Sequence, residues 1–304
     1  MDFLPTLVGY ILFMLALFHA LLDGHANRPQ RMLLLLTLFI YGTLLEAGGV
    51  RSGLYHYPRE RFINLGVVPL SVSLAWVGII YSVFAIAERL RLGAGLRILA
   101  ATLIALSLDW GMDPVATHFG IWVWRESGAY FGIPSFNMVG WFFVPIGYLA
   151  AYGLAWDGGK RRIRLLTLSE VDRDSSWQRR LYTLAVASPL ALVLTKAGSW
   201  TLIALAPGLL TLSSGTMNAW AVLTVAAAAG LVIWRRNLLR RRSWLDLIPA
   251  ALLAWIAANY AFFALAGGLW TLFWVMILSA IPLWIILVMT LLPERSTGNV
   301  PMKD

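Results

Sequence analysis

The sequence predicts an all-α protein, a polytopic bundle of about nine membrane-spanning helices. Three observations predict it. The 304 residues are 60% hydrophobic and only 13% charged, about half the ~25% typical of soluble proteins. Apolar runs near twenty residues long, the length a bilayer core requires of a helix, recur from end to end. The basic residues fall almost entirely in short segments between those runs. Cysteine is absent, which excludes disulfides and thiolate metal sites.

The expected helices are 3–22, 31–50, 66–87, 97–113, 136–156, 180–205, 216–234, 246–266 and 269–292. The first starts Met-Asp-Phe, with neither a basic leader nor a small-residue cleavage site, and reads as an anchor rather than a signal peptide. The fourth should stop at Asp113, because the residue before a proline avoids the helical region and Pro114 follows. Asp113 could then cap a short helix begun by Pro114. In the sixth, Pro189 and Pro207 predict a kink, or a segment after Ser199 that re-enters the membrane. Residues 1–304 read as a single transmembrane domain. No internal repeat and no nucleotide-binding glycine motif is apparent.

Alternate connections divide the Lys and Arg residues 19 to 4, with Lys196 inside a span. The positive-inside rule then predicts a cytoplasmic C-terminus and an N-terminus on the opposite side. It also accounts for the net charge of +9 without nucleic acid as a partner. The loops KRRIRLLTLSEVDRDSSWQRR and RRNLLRRRSW read as anchors against anionic lipid.

Ionisable residues within spans are functional candidates, because burying charge in lipid is unfavourable. A rise of ~1.5 Å per residue puts Glu46 ~22 Å from Arg31, Asp109 ~18 Å from Arg97, Lys196 ~24 Å from Arg180 and Asn259 ~20 Å from Asp246. In a core of ~30 Å, all four share the non-cytoplasmic half, and Asn137 enters from that side just after Pro134. Asp109 and Asp113, four apart, share one helix face. Bland readings accompany each of these. Asp109 could pair with Lys196 or a neighbouring Arg, Lys196 could snorkel to the interface, and His118 and His56 could simply be solvated. His19 and Asp23 read as interfacial. A lone D-x-x-x-D lacks the D-D-x-x-D grouping that holds magnesium diphosphate, so no metal is expected. The segment HFGIWVWRESGAYFGIPSFNMVGWFF is dense in aromatics, Trp122, Trp124 and Trp141 among them. It reads both as an interfacial belt and as a flat wall for a polyene, whose π faces would stabilise a cation.

LDWGMDPVA, then GIWVW and YFGIPSFNMVGWF, resemble the carotenoid biosynthesis membrane-protein family, which includes carotenoid 1',2'-hydratases acting on γ-carotene and on bacterioruberin precursors. LLEAGGVRSGLYHY and LGVVPLSVSLAW resemble its first block. The matching motifs run from about Glu46 to Trp141, while 180–292 resemble it only as helices of suitable number. In place of an expected threonine-glycine-proline-phenylalanine-glycine pattern the chain has RSGLYHYPRER.

The resemblance implies cofactor-independent addition of water to the terminal double bond of an acyclic ψ-end group. A carboxylic acid protonates the alkene, and water captures the cation. On this reading Asp109 is the acid, and Asp113 or Glu46 the base that holds the water. Asn137 positions that water, and Trp110 and Trp141 flank the cation. Trp122, Trp124, His118, Lys196 and Asn259 complete the substrate site. The implied partners are a lipophilic carotenoid, membrane lipid and other carotenoid-pathway enzymes, in a bacterial or archaeal plasma membrane. Three alternatives remain open at this point: a lycopene-type cyclase, a transporter using membrane carboxylates as proton relays, and a non-catalytic scaffold.

Overall fold

The computed structural model describes residues 3–23, 28–58, 63–157, 177–240 and 243–293. Most of the first basic loop, Arg241 and Arg242 of the second, and the C-terminal tail lie outside them.

The fold is all-helical, with ten helices among the described residues: α1 Phe3–Leu22, α2 Arg28–Arg51, α3 Leu70–Arg89, α4 Ala94–His118, α5 Ser135–Asp157, α6 Trp177–Leu205, α7 Ser214–Trp234, α8 Leu247–Ala266, α9 Trp270–Ser279 and α10 Ile281–Leu291. Seven of them, α2 to α8, are long and apolar enough to cross a bilayer, and the bent pair α9–α10 makes eight. α1 contributes a shorter apolar helix. These long apolar helices fit a membrane protein.

Two boundaries depart from the sequence expectations, and each departure centres on a proline. α4 does not stop at Asp113 but runs through Pro114 to His118. Proline has no N–H for the carbonyl four residues back, which here belongs to Trp110. The Tyr130 hydroxyl donates to that carbonyl at 2.9 Å, so the vacated acceptor is satisfied from another segment. The last expected span is broken into α9 and α10, bent by 51°. Pro282 cannot donate to the Leu278 carbonyl, and α9 ends with the Ala280 N–H on the Met276 carbonyl at 3.1 Å. α6 keeps its expected end at Leu205, running unbroken past Ser199, and Pro207 opens a separate 3-10 turn, Pro207–Thr211.

α3 and α4 form the centre, with 83% of their apolar windows buried, whereas α6 and α7 lie at the periphery with 28%. In lipid there is no hydrophobic gain from bringing helices together, so close packing and polar contacts decide. Small residues supply the packing. Gly78 of α3 lies against the backbone of Leu12 in α1, and Gly147 of α5 against Thr195 in α6, leaving no room for a Cβ. Polar contacts supply the rest. Tyr148 of α5 bonds Thr37 of α2 at 2.7 Å, Tyr41 of α2 bonds Thr195 at 2.8 Å, and Ser188 of α6 donates to the Thr37 carbonyl at 2.9 Å. At the other end His19, expected to be interfacial, is buried. It bonds the Tyr81 hydroxyl at 2.7 Å, while Arg31 donates to Tyr81 at 3.0 Å and pairs with Asp23 at 2.5 Å.

Candidate functional site

Two connecting segments close one end of the bundle. β1, Tyr55–His56, pairs antiparallel with β4, Val123–Trp124, placing Tyr55 opposite Trp124. A second short pair, β2 Asn64–Leu65 with β3 Val68–Pro69, leads into α3. The β1–β4 contact draws the α2–α3 and α4–α5 connections together over a cavity of about 350 Å³.

Two carboxyl groups face this cavity from different helices. Glu46 of α2 is held by three donors. The hydroxyls of Tyr55 and Tyr57 donate to its Oε2 at 2.6 and 2.5 Å, and the indole N–H of Trp76 donates to Oε1 at 2.7 Å. Three donors and no acceptor suit a carboxylate anion. Burial first, then the neighbouring Glu46 charge, holds the Tyr55 and Tyr57 phenols well above the ordinary tyrosine range. Both therefore remain protonated and able to donate. The second carboxyl is Asp113 of α4, whose Oδ2 accepts from Asn137 Nδ2 of α5. Trp76 of α3 and Trp141 of α5 stack on each other, with centroids 4.5 Å apart and planes at 18°. Trp122, Trp124 and Phe136 extend the aromatic wall.

Of the residues singled out in the sequence, Glu46, Asp113, Asn137, Trp141, Trp122, Trp124 and Lys196 all line this cavity. Four others do not. Asp109 is completely buried one turn behind Asp113, and neither of its oxygens has a hydrogen-bond partner of good geometry among the described residues. Its electrostatic neighbours are Asp113 and Tyr130, and no ion pair joins it to Lys196. Trp110 turns the other way, edge-on to Tyr130 and Trp220. His118 is exposed at the end of α4, against Phe119. Asn259 donates back to the Trp255 carbonyl of its own helix at 2.7 Å, and its neighbour Tyr260 lines the cavity instead.

Sequence reasoning missed Tyr55, Tyr57 and Trp76 as the partners of Glu46. Their signal was present but faint: alternate tyrosines in LYHYP and a lone tryptophan in an apolar span. Among the described residues no three His, Cys, Asp or Glu side chains come together as metal ligands do.

A family model described as carotenoid biosynthesis protein matches residues 6–213. The chain belongs to the carotenoid biosynthesis protein family. The match includes every cavity-lining residue from Val8 to Leu210 and leaves out only Ile256 and Tyr260. It extends well beyond the Glu46–Trp141 motifs that carried the resemblance in sequence. No curated protein and no solved structure matches the chain significantly. As a member of this family the protein has a role in carotenoid biosynthesis, and an apolar, aromatic-walled cavity in a membrane bundle suits a lipophilic carotenoid.

Proposed function

We propose that this carotenoid biosynthesis protein is a cofactor-independent hydratase of the terminal 1',2' double bond of an acyclic ψ-end group. The observation that carries this reading is that two differently partnered carboxyl groups, Glu46 and Asp113, line one aromatic-walled cavity. Hydration of an isolated alkene requires both an acid and a base, and one group in each role.

Asp113 and Asp109 are buried one helical turn apart, with no cation paired to either among the described residues. Two like charges cannot persist there, so the pair carries at least one proton. Asp113, the member that reaches the cavity, transfers it to the terminal alkene. The π pair forms the new C–H bond and leaves a tertiary cation beside the stacked faces of Trp76 and Trp141, where the ring quadrupoles favour positive charge. A water oriented by Asn137 and Glu46 gives its lone pair to the cation, and its surplus proton passes to Glu46. Proton return from Glu46 to Asp113 restores both groups. Asp109 acts behind Asp113 as a positioning and proton-sharing residue, not as the group touching substrate.

The decisive experiment is expression in a host accumulating lycopene or γ-carotene, with pigments analysed by mass spectrometry. Hydration adds one water per modified end. A product of unchanged mass carrying a ring would replace this reading with the cyclase, and no new pigment at all would favour a scaffold.

The proposal places the protein as a single domain in a bacterial or archaeal plasma membrane, with nine spans counting α1 and the bent pair, N-terminus outside and C-terminus inside. It is supported by the 19-to-4 distribution of basic residues. A topology reporter after Asp304 should read cytoplasmic and one near Gly128 non-cytoplasmic; the same side for both would overturn the span count.

A further inference from the structure

The cavity is not equally sealed on all sides. At the β1–β4 end Tyr55, Tyr57, Trp122 and Trp124 cover it, each at least half-buried. Among its described lining residues three are exposed: Lys196 and Trp200 of α6 and Leu210 of the 3-10 turn after it. Trp200 is 66% and Leu210 47% exposed. All three lie on one side, at the C-terminal end of a peripheral span. Lys196 and Trp200 are exposed on an apolar span, and a rise of ~1.5 Å per residue puts Trp200 ~30 Å from Arg180, so this side of the cavity opens towards the bilayer near the edge of its hydrocarbon core. Lys196, at its edge, has a long aliphatic stem that lets its ammonium reach the interface while the stem lines the mouth.

The size of the cavity adds a second constraint. Its volume of about 350 Å³ is at the low end of the ~300–1,000 Å³ typical of sites for drug-sized ligands. A space near the low end of that range suits the end of a long polyene better than its whole length.

We infer that the cavity admits one end group at a time, laterally from the bilayer, through the gap bordered by Lys196, Trp200 and Leu210, while the polyene shaft stays in lipid along α6. This rests on the reading of the ligand as an acyclic carotenoid. Trp200 and Leu210 are then specificity-determining residues that meet the shaft where it leaves the protein. A symmetric polyene must dissociate and turn round before its second end reacts, so the product modified at one end accumulates first.

The test narrows the mouth with Leu210→Trp and compares two substrates sharing one ψ-end group, a full-length acyclic carotenoid and a short isoprenoid that fits wholly inside. The readouts are turnover and, separately, the pigment retained by purified protein, measured by absorbance at matched protein amount. Selectivity for the long over the short substrate should fall about tenfold or more, the scale on which a pocket discriminates by shape. Retained long-chain pigment should fall with it. Unchanged selectivity and unchanged retention would overturn the portal. Should Leu210→Trp fail to fold, Leu210→Phe carries the same test with a smaller change of the same sign. If neither substrate gains water in any variant but retention of the long pigment still falls in Leu210→Trp, the portal stands and the hydratase reading fails.

Discussion

Asp113→Asn should lower formation of hydrated carotenoid by about 10²–10⁴-fold, the contribution of a well-placed general acid. The substitution preserves side-chain size and leaves an amide able to bond Asn137, but removes the transferable proton. Yield of folded protein should stay near that of the parent, because a neutral amide is no harder to bury than a carboxyl group. Asp109→Asn should have a clearly smaller effect, since Asp109 lies behind Asp113 and does not line the cavity. Pigment analysis at matched membrane-protein level distinguishes the two. An active Asp113→Asn protein beside an inactive Asp109→Asn protein would return the acid to Asp109.

Glu46 calls for two substitutions, because its charge and its hydrogen bonds do different things. In Glu46→Gln the carbonyl can accept from the Trp76 indole, which has no other way to bond, while Tyr55 and Tyr57 can rotate their hydroxyls to accept from the amide. The fold should therefore survive. The basic oxygen that takes the water's proton is gone, and hydration should fall by about 10²–10⁴-fold. Glu46→Leu instead strands three donors around an apolar side chain, at about 1–3 kcal/mol for each buried group left unpartnered. That variant should lose activity and also thermal stability, measured by size exclusion after heating. Equal melting of the two variants would show that the three hydrogen bonds are not what holds the α2–α3 connection in place. Full activity of Glu46→Gln would remove Glu46 from the reaction.

The sequence brought part of the site to a common level, but it did not show which faces turn inward. Counting residues from the basic ends put Glu46, Asp109, Asn137, Lys196 and Asn259 at a common level, and three of these five do meet in one cavity. Asp109 does not, because it lies one turn further along the same face of α4 than Asp113, and Asn259 does not, because rotation of α8 presents its neighbour Tyr260 instead. A soluble helix declares its inward face by an apolar stripe. α4 is buried on nearly every side and α8 is apolar all round, so neither shows a stripe to read. The same ambiguity placed Trp110 on the site, whereas its indole packs towards α7.

Proline positions were legible, but their outcome depended on partners distant in sequence. Pro114 and Pro282 each remove one backbone donor. α4 continues because Tyr130, sixteen residues beyond Pro114 in the sequence, supplies a hydroxyl to the stranded carbonyl. The last span breaks at Ala280, next to the carbonyl of Leu278 that Pro282 cannot serve.

By itself, then, the sequence determined the class of solvent and the class of fold. Long apolar runs can satisfy their backbone groups in lipid only as helices, and this follows from composition and length without knowledge of any contact. It also carried the family, through motifs between Glu46 and Trp141 whose wider match the family model extends to residues 6–213. Only the tertiary structure decided that Tyr55, Tyr57 and Trp76 converge on Glu46, that Asp113 and not Asp109 reaches the cavity, and that the opening lies beside α6. Each of these depends on helix rotation and on pairing between remote segments. Those are set by glycine-sized approaches and by hydrogen bonds between helices, which hydrophobic patterning does not record.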